Sequence, residues 1–271
     1  MNLVDVTPKV WERIRAARLG RACLCCGDWS AGERQSLSLY GALAQPQHDT
    51  SIVAQIGQSL DGRVATVSGD AQDVSGPDGL AHLHRMRALS DAVVIGVKTA
   101  LQDNPRLTVR LVEGDSPARV VIDPDGRLPD DADLLRDASA RRIVIQAVDR
   151  PRASGVEVLR LPRDRWISPH DIVAALSALG FRRMLIEGGG ITIAQFYEAG
   201  LLTRLHVAVA PLLIGAGPQG LSTTAITTLA EARRPETHTY ALGSDVLFDC
   251  VLAPGAAPRP RCHAAAQDRA G

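Results

Sequence analysis

Between residues 51 and 252, short apolar runs alternate with segments of helical spacing. The runs at 51–57, 92–95, 119–122, 142–147, 156–161, 183–186, 205–210 and 245–252 are four to eight residues long and rich in Val, Ile and Leu, which predicts buried strands. Helical periodicity covers 10–19, 77–89, 169–178 and 192–199. Pro77 and Pro169 suit a first turn, Ser168 suits an N-cap, and Gly180 and Gly200 mark helix ends. Strands alternating with single helices predict a three-layer α/β domain around a central, mostly parallel mixed sheet. The run 91–110 stands out. A buried strand stops at Gly96 and opens into a loop carrying Thr99 and Asp103. An Asn104-Pro105 turn then leads to a strand-like Leu107-Thr-Val ending in Arg110. Open α/β sheets place ligands where strands empty into such loops.

Residues 1–49 read differently. They hold an arginine-bearing helix, then Cys23, Cys25 and Cys26, a Gly/Ser-rich stretch, and a linker at Gln45-Pro-Gln-His48. This predicts an N-terminal extension (1–49), a main domain (50–253) and a disordered Ala/Pro/Arg-rich tail (254–271). No internal repeat is present.

Composition narrows the function. Apolar residues make up 45% and charged residues 22% of the 271, as in ordinary soluble domains. Thirty basic and thirty acidic residues cancel, so nothing points to nucleic acid or an anionic membrane. No apolar run approaches the ~20 residues of a membrane span, and no secretory signal is visible. Five cysteines, an odd number, fit a reducing cytoplasm better than a disulfide scaffold.

Several places are candidates for chemistry. Glu187-Gly-Gly-Gly190 lies between a strand and a helix, where backbone N–H groups and the helix field suit a phosphate; a plain tight turn is the competing reading. Asp61-Gly62 reads as a turn. Arg87, on a helix, and Arg110, at a strand end, suit a phosphate but are common as solvated side chains. His82 and His84 are two apart and share no helix face for a metal. The cysteine triplet has no second ligand pair at zinc spacing, so no metal is expected. The His-x-Glu and Pro-Cys-x-x-Cys signature of zinc nucleobase deaminases is not present, nor is a Gly-x-Ser-x-Gly elbow.

In order, Gln58-Ser-Leu-Asp-Gly-Arg63, Arg87-Ala88, Gly96-Val-Lys-Thr99, Asp103-Asn-Pro-Arg-Leu-Thr-Val-Arg110, Arg119-Val-Val-Ile-Asp123, Leu185-Ile-Glu-Gly-Gly-Gly190 and Ala210-Pro-Leu-Leu-Ile-Gly215 resemble the reductase domain of the riboflavin-biosynthesis deaminase/reductase family, over about residues 51–252. The resemblance implies a dihydrofolate-reductase-like fold, a stand-alone reductase and a homodimer. The implied reaction is NADPH-dependent reduction of 5-amino-6-(5-phosphoribosylamino)uracil, with hydride delivered to C1′ of the ring-opened ribosyl imine. It implies cofactor contacts at Gly57, Thr99, Asp103, Gly189, Gly190, Ile191, Thr192, Ile193, Ala194 and Gln195. It implies substrate contacts at Arg87, Leu107, Arg110 and Glu187, with Glu187 and Asp61 positioning and no protein nucleophile. The cofactor supplies the hydride and the protein positions it. Two residues depart from the family pattern: Ala71 stands where a small hydroxyl residue is usual, and Asp73 where an aromatic is usual. These departures keep open a reductase of a related heterocycle, such as a pterin or dihydrofolate. A nucleotide-binding protein that has lost catalysis is a further alternative.

Overall fold

The computed structural model describes residues 2–46, 48–72 and 74–253. Gln47 of the expected linker, Asp73, and the tail expected to be disordered lie outside the described residues.

Ten strands form one sheet. They are β1 (Asn2–Leu3), β2 (Ser51–Ser59), β3 (Ala92–Gly96), β4 (Ala118–Ile122), β5 (Arg142–Gln146), β6 (Val156–Arg160), β7 (Arg183–Ile186), β8 (Arg204–Ala210), β9 (Glu236–Leu242) and β10 (Asp245–Val251). Their order is β1-β9-β10-β8-β2-β7-β3-β4-β5-β6. Every neighbouring pair is parallel except β8–β10 and β9–β10. The expected mostly parallel mixed sheet with flanking helices is therefore present.

Alternation along the central strands divides the core in two. Val93 and Ile95 of β3 join Val53, Leu185 and Val121 on one face, while Ala92 and Val94 join Ile52, Ile56 and Ile186 on the other. Both faces are buried, so these strands read as continuous apolar runs rather than as polar–apolar alternation. The first face is covered by α1 (Pro8–Arg18), α2 (Ala31–Ala44) and α3 (Pro77–Leu89). The second is covered by α6 (Pro169–Ala178) and α7 (Gly190–Glu198).

The composition change near residue 49 is not a boundary of the core. Trp11, Ile14, Leu39 and Tyr40 are buried with Met86, Leu89 and Leu247 in one cluster. β1 pairs with β9. The stretch read as Gly/Ser-rich is largely the helix α2, opened by a capping box between Ser30 and Glu33.

Three local expectations change. Thr99 and Asp103 lie on a short helix, α4 (Val97–Asp103), not in a loop. Asn104 ends it in the left-handed conformation, a role for which Asn is the best residue after Gly. Residues 107–110 form no strand. Leu107 has φ +54°, so the chain bends where its side-chain types favour extension. Pro169 does open α6, but the Ser168 hydroxyl makes no capping hydrogen bond. The remaining α-helix among the described residues is α5 (Asp133–Arg136). The expected strand at 205–210 is β8, inside the sheet, and Leu212 and Leu213 are exposed beyond it.

Candidate functional site

The C-terminal ends of β2, β7, β3 and β4 are neighbours in the sheet. They open on a cavity of about 650 Å³, inside the ~300–1,000 Å³ range of small-molecule sites. The edge of a parallel sheet where strands pass into helices is where this architecture binds ligands.

One wall is the turn from β7 into α7. Gly188 has φ +93°, a conformation that Glu, Ile or any branched residue would adopt only with strain. The Gly189 amide donates to Thr99 Oγ1 at 3.0 Å, which ties this turn to α4. A Cβ on Gly190 would collide with the Gly220 carbonyl, so α7 begins pressed against the 218–220 loop. The orphan amides of the first turn of α7, with the helix dipole behind them, form a cradle suited to a phosphate.

The floor is an ion pair. Arg87 of α3 donates from Nε and Nη2 to the two carboxylate oxygens of Glu187 at 2.8 and 2.6 Å. Both side chains are under 10% exposed. Arg87 Nη1 also donates to the Thr108 carbonyl at 3.3 Å. Burial works against the Arg87 charge, but the Glu187 carboxylate more than offsets it and holds the guanidinium above its usual range. The Arg87 fork is therefore taken up by Glu187.

Of the residues expected to touch cofactor, Gly57, Thr99, Asp103, Gly189, Gly190, Ile191, Thr192 and Gln195 line the cavity. Ile193 and Ala194 do not; they sit on the buried face of α7. Burial pushes the Asp103 carboxyl above its usual range. Of the substrate set, Arg87, Leu107 and Glu187 line the cavity and Arg110 does not. Arg110 is exposed. Its side chain meets Thr108 Oγ1 at 3.4 Å, and its amide donates to His84 Nδ1. Partial burial and the nearby Arg87 and Arg106 charges pull Arg110 below its usual range, which marks an electropositive spot. Asp61 also lies off the cavity. It accepts from Ser59 Oγ and from the Ile214 and Gly215 amides, which holds its carboxyl down at about 2 and pins the 210–215 loop. Ala71 lines the cavity.

Sequence reading missed Ser75, Lys98, Arg127 and Trp166, which also line the cavity. The Ser75 hydroxyl lies so close to Gly57 that a Cβ there would approach it to 2.7 Å. Lys98 and Arg127 are exposed, and neither has an acidic partner among the described residues. The Asp123 carboxylate fixes Arg127's turn by accepting the Arg127 and Leu128 amides at 2.8 Å and pairing with buried Arg152 at 2.6 Å. Only the Gly96-Val-Lys-Thr run hinted at Lys98; the others reach the site through strand order.

A family model described as the RibD C-terminal domain matches residues 50–248. The chain is 30% identical over 213 residues to the 2,5-diamino-6-ribosylamino-4(3H)-pyrimidinone 5′-phosphate reductase of Methanothermobacter thermautotrophicus, covering 74% of this chain and 97% of that protein. It is 29% identical over 213 residues to the riboflavin biosynthesis protein RibD of Actinobacillus pleuropneumoniae, again over 74% of this chain. It spans only 56% of that protein's length. Among solved structures, the deaminase/5-amino-6-(5-phosphoribosylamino)uracil reductase of Thermotoga maritima superposes with a TM-score of 0.67 at 22% identity, over 81% of this chain and 62% of that one. The riboflavin biosynthesis reductase Rib7 of Saccharomyces cerevisiae gives 0.65 at 20% identity, over 80% and 97%. At such identities the structures speak for the fold.

Proposed function

The chain belongs to the RibD C-terminal domain family, and from that premise we propose that it is an NADPH-dependent reductase acting on 5-amino-6-(5-phosphoribosylamino)uracil to give the ribitylamino product. The observation that carries this reading is the cavity at the sheet edge, which joins a glycine turn and helix N-terminus to the exposed cations Lys98 and Arg127. These groups fit a dinucleotide. The Gly189–Gly190 amides and Lys98 suit a pyrophosphate, and Arg127 suits the further phosphate that distinguishes NADPH from NADH. When bound, the nicotinamide supplies the hydride. The protein's part is to hold the reacting carbon against it and to exclude water.

For the substrate, Leu107 and the Arg87–Glu187 pair form the cavity floor. Arg110 lies beside two like charges that an anionic phosphate would relieve. The Ser75 hydroxyl supplies a polar group on the wall where Ala71 lacks one. In this reading Arg87 orients Glu187 toward the substrate, and Arg110, outside the cavity lining, meets a phosphate that projects beyond it. The exposed Leu212 and Leu213 suit the contact of a homodimer. Among the described residues no helix is long and apolar enough to cross a membrane, and the proposed setting is the cytoplasm.

A second reading comes from the archaeal relative, whose whole length the chain nearly spans: the substrate retains the amino group that deamination removes. The test supplies both phosphoribosylamino-pyrimidines with NADPH and with NADH. Oxidation of NADPH with the uracil substrate is expected, and Arg127→Ala should raise KM for NADPH while leaving that for NADH unchanged. Turnover of only the amino form would select the second reading. Turnover of neither at millimolar concentration would overturn both.

A further inference from the structure

The cysteine triplet lies in the loop between α1 and α2, away from the cavity. Leu24 anchors this loop: a Cβ on Gly41 of α2 would approach Leu24 Cδ1 to 2.8 Å. With Leu24 packed inward, Cys23, Cys25 and Cys26 gather around it, and none is in a disulfide. Their sulfurs all lie within 4.8 Å of one another. Cys25 Sγ and Cys26 Sγ are 3.7 Å apart. Tetrahedral thiolates at the usual Zn–S length of about 2.3 Å stand about 3.8 Å apart, so this pair already has the separation of two ligands on one ion.

Two cations stand at this loop. Lys9 Nζ donates to the Asp28 carbonyl at 3.0 Å and Arg13 Nη1 to the Cys23 carbonyl at 3.3 Å. Both cations also flank the Trp29 ring, at 4.7 and 5.7 Å from its centroid. Trp29 Nε1 donates to the Cys26 carbonyl at 3.2 Å, which fixes the end of the loop.

We propose that Cys23, Cys25 and Cys26 form a three-thiolate site for a thiophilic metal ion, Zn²⁺ with a water molecule as fourth ligand. Binding breaks three S–H bonds and forms three Zn–S bonds, and three protons leave to solvent. Three thiolates and a dication carry a net charge of −1, and Lys9 and Arg13 hold positive charge on the same loop. The spacing that argued against zinc lacked a second ligand pair, and here three thiols converge without one. The ion would fix the loop that joins α1 to α2, whose buried side chains cover one face of the sheet.

The test uses the full, reduced chain. Zn²⁺ is titrated against a chromophoric chelator, and Co²⁺ is substituted to read thiolate-to-metal charge-transfer absorption, whose intensity counts the sulfurs. One ion per chain, three thiolates and a dissociation constant below about 1 μM are expected. Cys23→Ser, Cys25→Ser and Cys26→Ser should each weaken binding by about 100-fold or more, the upper end of the loss from removing an outer-shell partner alone. Cys250→Ser and Cys262→Ser should leave it unchanged. Circular dichroism and reductase turnover of each variant report whether it folds. A missing charge-transfer band, or binding that survives in the triple serine variant, overturns the proposal. So does a protein that forms a disulfide within the triplet but takes up no metal when reduced.

Discussion

Removing the negative partner of the Arg87–Glu187 pair tests the site floor most directly. Glu187→Gln keeps the shape and one acceptor oxygen but removes the charge. It also turns an amide N–H₂ toward the Arg87 fork, where two bonds of 2.8 and 2.6 Å had been. The guanidinium is left in a place where its side chain is 8% exposed. Breaking a buried pair from one side costs about 3–5 kcal/mol, because the remaining charge is buried without compensation. In a chain of this size that corresponds to a fall in Tm of about 6–20 °C. Replacing both partners by apolar residues, Arg87→Met with Glu187→Met, removes the stranded charge and should restore most of the loss. Urea and thermal unfolding of the wild type, the two singles and the double give the coupling. A Glu187→Gln shift below about 2 °C, or a double whose loss equals the sum of the singles, would refute the reasoning.

Thr99→Val removes the acceptor of the Gly189 amide and should raise KM for NADPH by a factor of about 5, from ~1 kcal/mol for one neutral hydrogen bond; Thr99→Ser should retain wild-type KM in the same steady-state assay. Asp61 is held at about 2 against an ordinary 3.8, so its contribution is complete above pH ~4 and is lost as pH falls toward 2. Hydrogen exchange of the Ile214 and Gly215 amides should accelerate over that window, and Asp61→Ala should show fast exchange at every pH. Burial, then Arg87 and Arg110, pull His84 down to about 4, and burial with His206 also lowers His82. Unfolded histidines near 6.5 bind protons that these do not, so stability should fall as pH drops from about 6.5 toward 4. Chemical denaturation across that range checks it, and His84→Gln should flatten the slope. Deleting residues 1–49 exposes the partners of Trp11, Ile14, Leu39 and Tyr40. At about 1.5–3 kcal/mol for each buried side chain the loss rivals total stability, so the truncated chain should show no cooperative unfolding by calorimetry.

What was legible in the sequence follows from what packs locally. β3 and β7 were legible because strands buried on both faces are uninterrupted apolar runs. α3 was legible at both ends because Pro77 fixes the first turn and apolar spacing stops at Leu89. β9 was not, because Glu236, Thr237 and His238 are exposed and leave little alternation. α2 was missed although Ser30 and Glu33 are three apart, as a capping box requires; Gly32 and Gly41 disguised it. Neither the turn at 104–107 nor Leu107 at φ +54° carries a glycine to announce it. Within the site, the glycine turn was readable because backbone amides need small residues nearby, and Thr99 was readable through the family resemblance. Arg127 was not, because its place depends on β4 lying beside β3. Nor was the engagement of Arg87 with Glu187, one hundred residues away.

The same geometry explains why the N-terminal hairpin matters to a cavity it does not line. α3 carries Arg87 on one side. On another, His82 Nδ1 stands 3.0 Å from Tyr40 Oη of α2, and His82 Nε2 stands 3.2 Å from His206 Nδ1 of β8. His206 Nε2 lies 3.2 Å from Asp249 Oδ1 of β10. Burial works to raise Asp249, but His206 and Arg204 hold it down at about 2. Arg18 of α1 adds an ion pair to Asp91, the residue before β3, at 2.9 Å. Asp91 also accepts the Arg182 and Arg183 amides at the start of β7. The helix that supplies the site floor and the two strands that supply its walls are therefore fastened at their far ends to residues 1–49. The Tyr40–His82–His206 part of this chain is buried, so it stabilises one arrangement and penalises a shifted one, because a displaced group would be left unsatisfied in low dielectric. Hence the hairpin fixes the azimuth of α3, and with it the direction in which the Arg87–Glu187 pair faces the cavity.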